Sequence, residues 1–83
     1  MGNSSADAAT RARAIIIEQL GIDPARVVDD ASIVDDLGAD FLEVAQIVIM
    51  IEDEFNIEIS DDVAEAAITV GDIIYVVMSK TES

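Results

Sequence analysis

Ala12, Ile15, Ile16 and Leu20 recur at three- and four-residue spacing, and Gly21 follows where a helix takes a left-handed terminal residue. The pattern predicts a first helix over 7–20. Turn formers such as Asp23-Pro24 then break the periodicity, and no strand-like alternation replaces it. Residues 21–39 are therefore expected to form one long ordered loop, anchored by Val27, Ile33 and Leu37. A loop of that length in a small domain points toward function. From Asp40 to Phe55, the apolar residues Phe41, Val44, Ala45, Ile47, Val48, Ile51 and Phe55 cover one broad arc at 100° per residue, with Asp40 as natural N-cap. The opposite arc carries Leu42, Glu43, Gln46, Met50, Asp53 and Glu54. Two large apolar side chains among polar ones mark a partner surface rather than plain solvation. A short third helix is expected over 61–67, capped by Ser60 or Asp61. A fourth is expected over 70–78, after Thr69, with Ile73, Ile74 and Val77 as its stripe. Ile57-Glu58-Ile59 and Val76-Val77 are too short to build a sheet. The expected fold is all-α: a small bundle of three main helices plus one short one. Residues 1–6 are read as a flexible N-terminal tail, 7–80 as the domain and 81–83 as a C-terminal tail.

Composition narrows the functions available. The 83 residues are 52% apolar, which argues against disorder, yet 18 acidic residues face only 4 basic ones for a net charge of −14. A nucleic-acid binder needs the opposite balance. Without Cys or His, the chain lacks a thiolate nucleophile and the commonest general base and metal ligand. An enzyme is not expected. No apolar run is long enough to span a bilayer, the N-terminus lacks a secretory pattern, and Ala6 breaks the myristoylation motif begun by Gly2. A monomeric protein of the cytoplasm is the expectation. Residues 27–79 hold 14 acidic side chains and no basic one, a field that steers toward basic partners. Asp29, Asp30, Asp35 and Asp36, or Asp53, Glu54 and Glu58, could gather counter-ions. Neither group has calcium-loop spacing, so no specific metal site is expected.

The runs Glu18-Gln19-Leu20-Gly21, Asp29-Asp30-Ala31-Ser32, Asp36-Leu37-Gly38-Ala39-Asp40, Glu52-Asp53-Glu54-Phe55, Ile57-Glu58-Ile59 and Thr69-Val70-Gly71-Asp72 stand in the order and spacing of one known family. From about Ile15 to Val77 the chain resembles an acyl carrier protein. The resemblance implies an up-down helical bundle with a long first loop and room for an acyl chain between the helices. It also implies a second helix that docks on basic surfaces of fatty acid or polyketide-type biosynthetic enzymes, here through Leu42, Glu43, Gln46, Met50, Asp53 and Glu54. The family's chemistry rests on a serine in an Asp-Ser-Leu motif, esterified by a phosphopantetheine arm. In this chain the motif reads Asp40-Phe41-Leu42, preceded by Gly38-Ala39. A phenyl ring has no hydroxyl, so no phosphopantetheine is expected here. Ser32 and Ser60 lie outside the motif and are poor substitutes. Val44 and Gln46 also replace the Thr and Glu common in the family, which removes one carboxylate from the docking helix.

Phe41 has two readings: it packs on the bundle beside Ala45 and Val48, or its ring fills the mouth of the acyl cavity. The function expected is a non-catalytic protein that docks on carrier-recognising partners without holding a substrate. The alternative is a variant or engineered form of a working carrier that shuttles acyl thioesters. A third possibility, an acidic cation-buffering domain, has no motif behind it.

Overall fold

The computed structural model describes residues 4–81. Four α-helices follow one another, α1 (Ser4–Leu20), α2 (Phe41–Phe55), α3 (Asp61–Ala66) and α4 (Val70–Thr81), with one 3-10 turn at Pro24–Arg26 between α1 and α2. Among the described residues the only β pairing is an isolated bridge between Ser32 and Thr69. The small helical bundle expected from the periodicity is what forms. α1 starts at Ser4, so residues 4–6 continue the helix instead of belonging to a tail. α4 runs on to Thr81, whose hydroxyl donates to the Val77 carbonyl at 2.9 Å. No Gly or Pro stops it after Met78, and Lys80 in its last turn suits the negative end of the helix dipole. The rest of the two expected tails, residues 1–3 and 82–83, lies outside the described residues.

α1 lies against both α2 and α4. Its face of Ala8, Ala12, Ile15 and Ile16 packs with Ile47 and Ile51 of α2 and with Val70, Ile73, Ile74 and Val77 of α4. The long loop completes this core with Val27, Ile33 and Leu37, as anticipated, and also with Ala31 and Ala39.

Backbone polar groups near a core need partners, and the loop finds them without a sheet. The Ile33 amide donates to the Ile68 carbonyl at 3.0 Å, Val70 to Ala31 at 3.0 Å and Gly71 to Asp29 at 2.7 Å. Asp36 accepts the Ser32 amide at 2.7 Å, and the Ser32 hydroxyl accepts the Asp35 amide at 3.0 Å. Arg26 donates to the Asp36 carbonyl at 2.7 Å, and Arg13 pairs with Asp29. Gly21 and Gly38 take φ of +63° and +77°, ending α1 and turning the loop toward α2, positions where a side chain would be strained.

Candidate functional site

The first turn of α2 carries the residues that the sequence singles out. Asp40 is the N-cap: its carboxylate accepts the Glu43 amide at 2.8 Å, and the Glu43 carboxylate accepts the Asp40 amide at 3.0 Å. This reciprocal capping box satisfies two otherwise orphaned donors and fixes the turn. Gly38 supplies the bend before it, Ala39 is buried against the core, and Phe41 and Leu42 follow as the first helical residues.

Phe41 does not pack on the bundle. Its ring is 88% exposed, which overturns the first reading of this residue. The second fares no better as a plug, because a ring so exposed borders the neighbouring groove without filling it. The cause lies in helical phase. Only Ile47 and Ile51 of α2 are fully buried, and Phe41 sits roughly 100° round the helix from their midline. An exposed Phe forgoes the ~1.5 to 3 kcal/mol that burial provides.

A phosphopantetheine arm is esterified to a hydroxyl, and the side chain of residue 41 is a phenyl ring without one. The hydroxyls of Ser32 and Ser60 are engaged in local structure: Ser32 accepts the Asp35 amide, and Ser60 caps α3 by accepting the Val63 amide at 3.3 Å.

Of the residues assigned to docking, Leu42, Gln46, Asp53 and Glu54 are exposed, while Glu43 and Met50 are half-buried. Met50 packs against the core, and Glu43 is engaged in the capping box. Glu54 pairs with Arg11, whose Nε and Nη2 lie 3.0 and 2.6 Å from its Oε2 while the guanidinium stands 4.7 Å from the centre of the Phe55 ring. That clamp ties the end of α2 to α1 and partly neutralises the Glu54 carboxylate.

Three exposed apolar residues near this face went unassigned in the sequence. Ile49, 56% exposed, follows Leu42 by seven residues on one helical face, a spacing that could have revealed it. Val34 and Ile68 come from separate segments and meet through the Ile33–Ile68 hydrogen bond, for which the sequence carries no signal. With Phe41 and Val44 they line a groove of about 310 Å³ between the loop, α2 and α3.

Among the described residues no group of three or more acidic side chains is placed to hold a metal ion. Several acids have other duties: Asp29 pairs with Arg13, Asp36 holds the Ser32 amide, and Glu52 accepts the Ile59 amide at 2.7 Å. No described helix is long and apolar enough to cross a membrane. At the start of α4 the Thr69 and Ile68 amides hold the Asp72 carboxyl below the usual carboxylate range, with slight burial opposing them.

Residues 10–76 match a family model described as phosphopantetheine attachment site. Over 62 residues the chain is 52% identical to an acyl carrier protein of Bradyrhizobium sp. (strain ORS 278), covering 75% of this chain and 78% of that one. Identity and coverage are the same for an acyl carrier protein of Nitrobacter hamburgensis. The solved acyl carrier protein of Enterococcus faecalis superposes with a TM-score of 0.78 at 36% identity, covering 90% of this chain and 95% of that one.

Proposed function

This chain belongs to the acyl carrier protein family, and on that premise we propose that it is a non-catalytic member that docks on carrier-recognising enzymes without bearing an arm at Phe41. The observation that carries the reading is the residue itself: a phenylalanine, 88% exposed, directly after the Asp40 cap. A pantetheinyl transferase acts on a hydroxyl, and this position has none. What remains of carrier behaviour is recognition. Leu42, Gln46, Asp53 and Glu54 stay exposed along α2, and the uninterrupted acidity of residues 27–79 draws basic enzyme surfaces. The expected partners are enzymes of fatty acid or polyketide-type synthesis, met by a monomer in the cytoplasm.

The reading is tested by mass spectrometry after incubation with coenzyme A and a broad-specificity pantetheinyl transferase. The expected result is an unchanged mass, and a gain of one phosphopantetheine on the unaltered chain overturns the proposal. A second reading, a variant of a working carrier, draws on one observation: with the ring exposed, a serine fits at position 41 without repacking the core. Phe41→Ser is expected to gain the arm, because Gly38, Ala39, Asp40 and Leu42 remain around it. A loaded Phe41→Ser chain that also restores acyl transfer in a reconstituted synthase favours the second reading. A loaded chain that remains idle there favours the first.

A further inference from the structure

We infer that Phe41 and the groove beside it form a docking site for a protein segment that places an apolar side chain next to Lys or Arg. The inference rests on the docking reading above and supplies the apolar half of a contact whose acidic half lies along α2. Val34 of the loop, Phe41 and Val44 of α2, and Ala64, Ala67 and Ile68 of α3 and its exit line the groove. Phe41, Val34 and Ile68 are exposed, so an incoming side chain meets aromatic and branched apolar surface on facing walls. Covering that surface drives association. Both walls are held in place beforehand. The Asp40–Glu43 box fixes the turn that bears Phe41, and the Ile33–Ile68 hydrogen bond ties the loop to the far wall. A site built on ordered elements loses little freedom on binding, and aromatic anchors of this kind carry a large share of interface energy.

Charge selects the occupant. Asp40 and Glu65 stand on the rim, and every charged residue from 27 to 79 is acidic. A second copy brings a net charge of −14 of its own, so self-association is opposed. A fatty acid brings a carboxylate to a groove whose charged lining residues are both acidic. A basic segment bearing Leu, Ile or Phe meets apolar surface with apolar surface and acid with base.

The test is an NMR titration of the isotope-labelled full chain with a synthetic amphipathic Leu/Lys peptide. Saturable shifts are expected at the Phe41 ring, Val34, Val44 and Ile68. Phe41→Ala is expected to weaken binding ~10-fold or more and Glu65→Gln by only about 2- to 3-fold, in keeping with a buried anchor and a rim charge. A melting curve confirms that each variant is folded. Equal affinity for Phe41→Ala overturns the inference, as do shifts confined to the acidic residues. So does laurate that saturates the groove and displaces the peptide, or a dimer in the ultracentrifuge that covers the same residues. The two proposals fail separately. A chain that gains the arm yet binds the peptide through Phe41 refutes only the reading of the previous section, and an unloaded chain that binds without Phe41 refutes only this one.

Discussion

Helices α2 and α4 open with the same hydrogen-bonding device and then treat their first residue in opposite ways. In α2, Asp40 and Glu43 exchange hydrogen bonds. In α4 the Thr69 hydroxyl accepts the Asp72 amide at 3.1 Å, and the Asp72 carboxylate accepts the Thr69 and Ile68 amides at 3.0 and 2.9 Å. The residue after the first cap, Phe41, is 88% exposed; the residue after the second, Val70, is 0% exposed. What differs is the surroundings. Val70 and Gly71 donate to loop carbonyls, drawing the start of α4 onto the core so closely that a Cβ on Gly71 would lie 3.0 Å from the Asp29 carbonyl oxygen. The start of α2 has no such neighbour on the side of Phe41. A cap therefore decides where a helix begins and leaves open what its first turn covers, which is how this fold presents an apolar side chain to water from a fixed backbone turn.

The largest effect that this contrast predicts is at Val70. Val70→Ala removes fully buried carbon and leaves a cavity, an expected loss of about 2 to 3 kcal/mol and a melting point lower by roughly 10 to 20 °C. A loss no larger than that of a surface substitution would show that the two helix starts are not so different.

Asp72 comes next. Its carboxyl is held below the ordinary 3.8 by the amides that it caps, so its stabilisation is fully present above that value and is lost as pH falls through the lower native one. Asp72→Ala is expected to cost ~1 to 2 kcal/mol at neutral pH, with the gap between parent and variant narrowing once the pH falls below 3.8. Urea titrations at several pH values follow the gap directly, and a gap independent of pH would contradict the assignment.

Asp40→Ala removes the matching cap on α2 at an expected cost of ~1 kcal/mol, and amide exchange should quicken first between Phe41 and Val44. Phe41→Ala stands last. With its ring in water it is expected to alter stability by less than ~0.5 kcal/mol in either direction. A drop of several degrees in melting temperature would mean that the ring is packed in solution.

Most of the bundle was legible because its signals are local. The stripe of α1 ending at Gly21, the Asp40 cap, the α3 cap narrowed to Ser60 or Asp61 and found at Ser60, and the stripe of α4 each lie within one turn or two of helix, and Val27, Ile33 and Leu37 stood out as apolar anchors among turn formers. Ala31 and Ala39 were not legible, since a small side chain in a loop has no periodicity. They are buried because the loop backbone is tied to residues almost forty positions away. Phe41 was misplaced for a related reason. α2 is apolar over most of its circumference, with Phe41, Leu42, Val44, Ala45, Ile47, Val48, Ile49, Met50 and Ile51 in one stretch, so its pattern allows several inward directions.

By itself, then, the sequence determined the helical class, the order and approximate ends of the helices, the cap of α2, the acidity of residues 27–79 and the phenyl ring at position 41. Each follows from residue identity and nearest-neighbour spacing, which folding does not alter. Only the tertiary structure decided which side of α2 is covered, because α1 and α4 close on Ile47 and Ile51 and leave Phe41 and Leu42 outside. It also joined Val34 to Ile68 and set Phe41 at the edge of the resulting groove. Those placements depend on which surfaces meet when the loop is pinned against the start of α4, and a contact between residues 33 and 68 is an outcome of packing that no local spacing encodes.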